Sequence, residues 1–257
     1  MVPEHGTKIA FKSQPLCRYY LKELVTFKTS IDEQLSIARE ELKELQEYPE
    51  EKLVDIIKEV GFQCDLCARC CTREFNDHVF LLEKDIEAIE HVDPEAIQPA
   101  PYYELCDQHG NFYVSGYALK TEEDGSCIFL KDQRCTIYDN RPFICRLYPY
   151  MLHQETDEDG NVGWRQISGL NLHGCYHTTI SDEQCKVIAS DVKVYESSFL
   201  EQKIKFLEKT KEHFREKKLR HIQGVYDREI RKFNKGGEII VFVLDQGVFR
   251  EHKIRKS

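Results

Sequence analysis

The sequence predicts an α+β fold: a loop-rich cysteine-cage metal core with short β-hairpins, flanked by N-terminal helices, a long C-terminal helix and a terminal β-hairpin. Three observations support this prediction. Apolar stripes with helical spacing follow capping signals on both sides of the chain's centre, cysteines cluster within that centre, and a strand–turn–strand pattern closes the chain.

Two helices are predicted before the cysteine-rich centre. Ser30 and Glu33 have the spacing of a capping box, which satisfies free amide groups at a helix start. The apolar stripe that follows consists of Ile31, Leu35, Ala38, Leu42 and Leu45. Pro49 begins the second helix and Gly61 ends it in the C′ position. A strand is predicted upstream, at Arg18–Phe27.

The central region is predicted to alternate turns with short elements. A helix is expected at Glu83–His91, and residues 102–119 are expected to form a hairpin that turns at Gln108–Asn111. Lys131–Gln133 is expected to be a turn within the second cysteine group. A further hairpin is expected to turn at Asp157–Asn161, where Asp, Gly and Asn cluster.

The C-terminal part is predicted to be one long helix and one hairpin. A second capping box at Ser181–Gln184 opens the helix, which is expected to continue to about Arg220. The hairpin strands are Glu238–Leu244 and Val248–Ile254, joined by the three-residue loop Asp245–Gly247 as a type I turn with a G1 bulge. The predicted segments are 1–60 (helical extension), 61–180 (cysteine-cluster metal-binding domain), 181–221 (long helix) and 222–257 (basic hairpin).

Size and charge narrow the function classes. A chain of 257 residues suits one large domain, or one domain with appendages, and its net charge of −9 disfavours nucleic-acid binding, which needs a basic face. The charge is uneven: residues 31–60 hold four Lys/Arg against ten Asp/Glu, and residues 211–257 hold thirteen against seven. These segments are either solvated faces, or the basic one docks on an acidic protein partner or on the chain's own N-terminal part.

The compartment is expected to be the cytoplasm. The longest strongly apolar run, Ile239–Leu244, is far shorter than the roughly 20 residues of a membrane-spanning helix, and the N-terminus has no apolar core of a signal peptide. In a reducing compartment, clustered cysteines bind metal or do chemistry more often than they form disulfides. The eleven cysteines are therefore not interpreted as a disulfide framework.

Two groups of cysteines define the candidate metal site. The first group is Cys64-x2-Cys67-x2-Cys70-Cys71, a spacing that lets a tight turn direct successive thiolates at one metal centre, in zinc ribbons and iron–sulfur clusters alike. The second group is Cys127, Cys135 and Cys145, with Cys175 further on. Because adjacent side chains diverge along most backbones, the last two cysteines of the first group are not expected to share an ion. The eight cysteines suffice for two four-thiolate sites, or for one cluster with bystanders.

Arginines near the cysteines are candidates to balance the thiolate charge. Four thiolates leave a negative site, which needs donors and positive charge around it. Arg141 and Arg146 bracket Cys145, and Arg69 and Arg73 surround the end of the first group. The alternative for these arginines is ordinary surface salt bridging.

Some histidines and cysteines stand apart from this site. His173 and His177 flank the last cysteine of the set and are either ligands or ordinary polar residues. Cys185 continues the apolar stripe of the long helix, which favours core packing over ligation. Cys17 and Cys106 stand alone and are interpreted as structural.

These motifs resemble the YkgJ-like cysteine-cluster family, whose name motif CxxCxxCC is Cys64 to Cys71 here. The second motif of the family, C-x-F-L…C-x-I-Y-x-x-R-P-x-x-C-R-x-Y-P, corresponds to Cys127, Phe129, Leu130, Cys135, Ile137, Tyr138, Arg141, Pro142, Cys145, Arg146, Tyr148 and Pro149. The resemblance covers about residues 61–177. It departs at Ala68, where many members have Gly, and at Tyr176, which follows Cys175 where Gly is usual.

The resemblance implies a zinc- or iron-chelating domain. Tyr138 of the second motif is then grouped with Arg141 and Arg146 around the metal. One branch, similar to flagellin lysine N-methylases, implies an alternative function: an S-adenosylmethionine-dependent protein N-methyltransferase that carries an iron–sulfur cluster. A third alternative is a zinc-stabilised module that binds a protein partner.

An iron–sulfur cluster, with 4Fe–4S favoured, is predicted in preference to zinc. The run Cys64-x2-Cys67-x2-Cys70 matches the first three ligands of a bacterial ferredoxin motif. Small zinc sites more often use two separated C-x2-C pairs, and no second pair exists in this sequence. The remote ligand is expected to be Cys127, Cys135, Cys145 or Cys175, with Cys145 the first choice because arginines flank it. The alternative is mixed occupancy, in which three cysteines of the second group complete a tetrahedral zinc site with Cys71.

Overall fold

The structure is a computed structural model that describes residues 30–73, 78–156, 162–167 and 173–255, with only the backbone described for 151–156 and 162–167. The predicted strand at Arg18–Phe27, the predicted turn at Asp157–Asn161 and the structural role of Cys17 lie outside the described residues. Helices and several small sheets share the described part of the chain, so the predicted α+β class is confirmed.

The described α-helices are α1 (Ile31–Glu47), α2 (Glu50–Val60), α3 (Glu83–Val92), α4 (Phe143–Leu147), α5 (Asp182–Lys217) and α6 (Gln223–Phe233). Both predicted capping boxes are present. At the start of α1, Ser30 N donates to the Glu33 carboxylate at 2.6 Å and Glu33 N donates to Ser30 Oγ at 3.2 Å. Gly61 ends α2 in the left-handed region, with φ of 48°.

Two features of the C-terminal helices differ from the prediction. The long helix α5 ends at Lys217 because Lys218 adopts a left-handed conformation, so it stops short of Arg220. Helix α6 lies inside the segment that was predicted as a hairpin alone. Its apolar residues at helical spacing, Val225, Tyr226, Ile230 and Phe233, pack against the central core.

The described strands are β1 (Phe80–Leu81), β2 (Ile97–Pro99), β3 (Leu105–Cys106), β4 (Phe112–Val114), β5 (Tyr117–Leu119), β6 (Leu130–Lys131), β7 (Arg134–Cys135), β8 (Tyr150–Thr156), β9 (Val162–Ile167), β10 (Glu238–Asp245) and β11 (Val248–Arg255). They form a three-stranded sheet in the order β1-β5-β2, a four-stranded sheet in the order β11-β10-β4-β3, and the hairpins β6-β7 and β8-β9. The predicted hairpin at 102–119 is formed by β3 and β4, while β5 turns away into the other sheet.

The terminal hairpin has a tighter turn than predicted. Asp245 pairs with Val248, so the loop consists of Gln246 and Gly247 alone. Both have positive φ, 47° and 82°, which is the pattern of a two-residue type I′ turn. The predicted three-residue loop is wrong because Asp245 still belongs to the strand.

The terminal hairpin is part of the main sheet. Strand β10 runs parallel to β4, with Val241 opposite Phe112 and Val243 opposite Val114. One face of this sheet packs with Phe129 and Ile137 of the cysteine-rich region, and the other faces Phe206 and Leu207 of α5. A third cluster joins α1 and α2 to α5 through residues such as Leu45, Ile57 and Ala189. Helix α5 therefore supports the helical layer and the sheet together.

Cys106 and Cys185 are fully buried in these cores, as predicted from their positions. In the part of the chain that is described, none of the helices combines the length and the apolar character needed to cross a membrane.

Candidate metal centre

The first cysteine group lies on a loop that two left-handed residues shape. Leu66 and Ala68 have φ of 60° and 63°, and a short 3-10 turn follows at Arg69–Cys71. Local hydrogen bonds hold the loop, since Leu66 N donates to Cys64 Sγ at 3.4 Å and Cys67 N donates to Asp65 Oδ1 at 3.1 Å. A Cβ in the left-handed region is strained, so Ala68 occupies a position that glycine would adopt at lower cost.

Backbone hydrogen bonds join the second group to the first. Cys127 N donates to Cys71 O at 2.8 Å, and Arg73 N donates to Gly125 O at 3.0 Å. The predicted turn at Lys131–Gln133 is shorter than expected, because Lys131 pairs with Arg134 in the β6-β7 hairpin. The loop consists of Asp132 and Gln133 alone, both with positive φ. This turn holds Cys135 opposite Leu130 on the strand that follows Cys127.

Helix α4 carries Cys145, and Asp85 positions that helix. The Asp85 carboxylate accepts hydrogen bonds from Phe143 N at 3.0 Å and from Leu82 N at 3.3 Å, so it ties the start of α4 to the start of α3. Burial raises the pKa of Asp85, while these two amides and Arg146 favour its charged form. Nothing near the cysteine motifs in the sequence identified Asp85 as a residue that orients the site.

A cavity of about 460 Å³ lies between these elements. Six of the eight predicted ligands line it: Cys64, Cys70, Cys71, Cys127, Cys135 and Cys145. Aromatic residues from the rest of the fold complete its wall: Phe80, Tyr102, Tyr138, Tyr148, Tyr195 and Phe199. The structure therefore brings both sequence motifs to one cavity, although residues 71 and 127 are far apart in the chain.

Cys70 and Cys71 do not diverge as predicted. The 3-10 turn places both at the cavity, where the Cys70 thiol donates a hydrogen bond to Cys71. This hydrogen bond lowers the pKa of Cys71, and Arg141 lowers it further, although burial opposes both effects. The same bond, with burial, raises the pKa of Cys70. A tight helical turn turns neighbouring side chains by less than an extended backbone does, so both cysteines reach the cavity. The expectation that the two thiolates do not share an ion stays a prediction.

Burial and mutual repulsion favour the neutral form of the thiols in the second group. Burial raises the pKa of Cys127 to about 11, and it raises the pKa of Cys145 even more. The neighbouring cysteines add to the increase at Cys145, because thiolates in one cavity repel each other. Arg141 opposes this increase at both Cys135 and Cys145.

The two predicted arginines of the second motif have different surroundings. Arg141 lies over the Tyr138 ring, 3.6 Å from the ring centre, and its Nε donates to Tyr138 O at 2.8 Å. This arrangement holds the guanidinium at the cavity wall. Arg146 instead lies over the Phe143 ring at 4.9 Å and acts on Asp85.

Cys175 lies beside the beginning of the first loop. Gln63 and Cys175 exchange two backbone hydrogen bonds, of 2.8 and 2.9 Å, as an isolated antiparallel bridge. Gly174 makes this approach possible, since a Cβ at this residue would lie 2.3 Å from the Phe62 ring. Cys67 and Cys175 are the two predicted ligands that do not line the cavity.

The histidines near Cys175, His173 and His177, do not line the cavity. His173 is buried, with its ring 5.4 Å from that of Tyr148, and His177 Nδ1 lies 3.1 Å from Glu59 O. His78, from a distant part of the sequence, lines the cavity and packs against Tyr102. Among the described residues, no three thiol, imidazole or carboxylate groups come together as a site for a single ion.

The central segment of the chain matches a family model. Residues 63–168 match the model of the CxxCxxCC family, described as "Putative zinc- or iron-chelating domain". The match includes seven of the eight predicted ligands and ends before Cys175.

A curated protein also has a partial sequence match to this chain. The chain is 33% identical over 94 residues to the uncharacterized protein MJ0661 of Methanocaldococcus jannaschii. The match covers 35% of this chain and 46% of that protein, so the chain spans about half the length of the relative. No solved structure matches the chain.

Proposed function

We propose that this protein is an iron–sulfur protein whose cysteine motifs hold a cluster at the cavity between the first loop, the β6-β7 hairpin and α4. The observation that carries the proposal is the convergence of six cysteines on one cavity of about 460 Å³. The CxxCxxCC match supports the coarser part of the proposal, the chelation of zinc or iron.

The size of the cavity and the number of thiols favour a cluster over one zinc ion. A structural zinc ion takes four ligands, with each sulfur at about 2.3 Å from a single point. An iron–sulfur cluster is a larger body whose cysteine ligands are distributed around it. Six cysteines distributed around a cavity fit the second arrangement, and the run Cys64-x2-Cys67-x2-Cys70 has ferredoxin spacing.

The groups around the cavity fit the charge of such a centre. Buried thiolates of the second group need positive charge nearby, and Arg141 is fixed at the cavity wall by its contacts with Tyr138. Aromatic residues line much of the cavity, and an apolar shell around a metal centre limits solvent access and tunes its potential. A bound cluster supplies one-electron transfer or a structural link, and both roles agree with these surroundings.

The two alternative functions receive no such support. The methyltransferase alternative rests on the resemblance, and the family description names chelation alone. Likewise, the interaction module depends on a basic C-terminal face for which a protein partner is still to be found. S-adenosylmethionine binding and partner binding therefore stay predictions.

The metal content of anaerobically purified protein tests the proposal. We expect brown protein with broad visible absorption that bleaches on reduction, together with iron and acid-labile sulfide. Cys145→Ser should lower all three, whereas Cys185→Ser should keep them, because Cys185 is buried in the helical core away from the cavity. Colourless protein with stoichiometric zinc and no sulfide would contradict the proposal.

A further inference from the structure

The eight cysteines divide into two groups when the backbone that carries them is followed. One group lies where residues 60–63 meet residues 175–178, and the other lies where the first loop ends against β6, β7 and α4. The two groups meet at the neighbours Cys70 and Cys71.

The outer group consists of Cys64, Cys67, Cys70 and Cys175. Four backbone hydrogen bonds fix the strip 175–178 along the strip 60–63: His177 N to Val60 O, Thr178 N to Gly61 O, and the pair between Gln63 and Cys175. Since Cys64 follows Gln63 directly, Cys175 is held beside the start of the first loop. The backbone of Gly174, next to Cys175, hydrogen-bonds to the Cys67 thiol.

The inner group consists of Cys71, Cys127, Cys135 and Cys145. Cys127 is fixed by its backbone bond to Cys71, and Cys135 is fixed by the β6-β7 hairpin. Cys145 on α4 and Arg141 line the same cavity as these three cysteines. All four line the cavity, as do Cys64 and Cys70 at the boundary with the outer group, whereas Cys67 and Cys175 do not.

We propose that the chain holds two metal centres: an outer one bound by Cys64, Cys67, Cys70 and Cys175, and an inner one bound by Cys71, Cys127, Cys135 and Cys145. This inference rests on the metal-binding function proposed above and adds the number of centres and the ligands of each. Adjacent cysteines then serve different centres. Bacterial two-cluster ferredoxins provide the chemical precedent, because the fourth cysteine of their C-x2-C-x2-C-x3-C run binds the other cluster.

The division also identifies the remote ligand of the first motif. Sequence alone favoured Cys145, because arginines flank it. The structure favours Cys175, since the Gln63–Cys175 bridge brings it to the beginning of the CxxCxxC loop, whereas Cys145 lines the cavity with Cys127 and Cys135.

The two centres differ in solvent access. Cys64 and Cys175 are exposed, so water screens the charge of the outer centre. Cys67, Cys70 and the cysteines of the inner group are only partly exposed, and Arg141 is held at the cavity wall by Tyr138. A chelator or an oxidant should therefore reach the outer centre first.

Single serine variants in each group test the division. We expect Cys67→Ser and Cys175→Ser to lose the same half of the bound metal, and Cys71→Ser and Cys135→Ser to lose the other half. Combining Cys175→Ser with Cys135→Ser should remove nearly all of it. Iron, zinc and sulfide per chain are measured on the folded fraction from gel filtration, with Cys185→Ser as the buried cysteine control.

Spectra of the half-loaded variants provide a second readout. Electron paramagnetic resonance of the reduced protein should show that the two single variants retain different signals, and that the wild type contains both. Chelator treatment of the wild type should remove metal in two phases, with the fast phase missing in Cys175→Ser.

Several results would overturn the inference. Full metal in Cys175→Ser would exclude it as a ligand, and complete loss of metal in single variants of both groups would show one shared centre. The iron–sulfur proposal would still stand after either result. Wild-type protein with two zinc ions and no sulfide would contradict the iron–sulfur proposal but agree with two centres.

Discussion

The sheet and helix scaffold and the cysteine loops are held together by different forces. In the scaffold, the sheet residues Val241, Val243 and Phe112 are completely buried. Phe206, on the face of α5 that packs against the sheet, is completely buried as well. In the first cysteine loop, Leu66 is 58% exposed and Cys64 is exposed. Apolar burial stabilises the scaffold at about 25 cal/mol per Å², whereas the first loop buries little and has strained backbone. We expect metal binding to supply the order that apolar packing does not give to the first loop.

The largest expected effect is the removal of metal. When a metal binds a site that is unformed without it, the binding free energy appears as folding free energy, on the order of 10 kcal/mol for structural zinc peptides. We expect a strong chelator to lower the melting temperature sharply and to expose amides of residues 62–73 and 125–148 to hydrogen exchange. Amides of β10 and α5 should exchange much less, because their contacts are apolar.

Hydrogen exchange followed by mass spectrometry measures both regions in one sample. The control is the same protein treated with a chelator already saturated with zinc. An unchanged melting temperature after verified metal loss would show that the loops fold without the metal, and the proposed contrast would then be wrong.

The reverse experiment weakens the scaffold and leaves the loops intact. Phe206 is fully buried among Leu35, Tyr113 and Leu207. Phe206→Ala should lower the free energy of unfolding by about 3–5 kcal/mol, through lost burial and the cavity left behind. Metal per folded chain should stay at the wild-type value, since Phe206 does not line the metal cavity.

Denaturant unfolding and metal analysis give the two numbers. Val187→Ala on α5 is the control, because Val187 is 60% exposed and its truncation should change stability by less than about 0.5 kcal/mol. A loss of metal from folded Phe206→Ala protein would show that the two regions are coupled.

The same contrast separates what the sequence could predict from what it could not. Capping boxes at Ser30 and Ser181, and the helix end at Gly61, are local signals, and the structure contains all three. The cysteine spacing predicted a cage for a similar reason, since neighbours along the chain share a turn. The loop of the terminal hairpin was mispredicted because Asp245 suits both a turn and a strand end.

Contacts between distant segments could not be predicted. The pairing of β10 with β4 depends on long-range apolar packing, which leaves no local pattern. The bridge between Gln63 and Cys175 has the same character, and so do the aromatic wall of the cavity and the role of Asp85 under α4. Helix α6 did have a local signal, the helical spacing of its apolar residues Val225, Tyr226, Ile230 and Phe233. The segment was classified by its basic charge instead.

The smallest expected effect lies within the first cysteine loop, at Ala68. This residue has φ of 63°, a left-handed conformation that costs a residue with a Cβ roughly 1–2 kcal/mol. Glycine removes that cost, but its larger conformational entropy stabilises the unfolded chain by about 0.5–1 kcal/mol. Ala68→Gly should therefore raise the free energy of unfolding by up to about 1 kcal/mol.

The gain should depend on the metal if the loop folds with it. In metal-loaded protein the left-handed turn is formed, so the relief of strain is realised and denaturant unfolding should shift to higher concentration. In chelated protein the turn is released in the wild type and in the Ala68→Gly variant alike, so the difference between them should vanish. Ala68→Val is the matched control and should shift the loaded protein in the opposite direction, because a β-branched residue is more strained at positive φ. A gain of equal size with and without metal would mean that the loop holds its shape on its own.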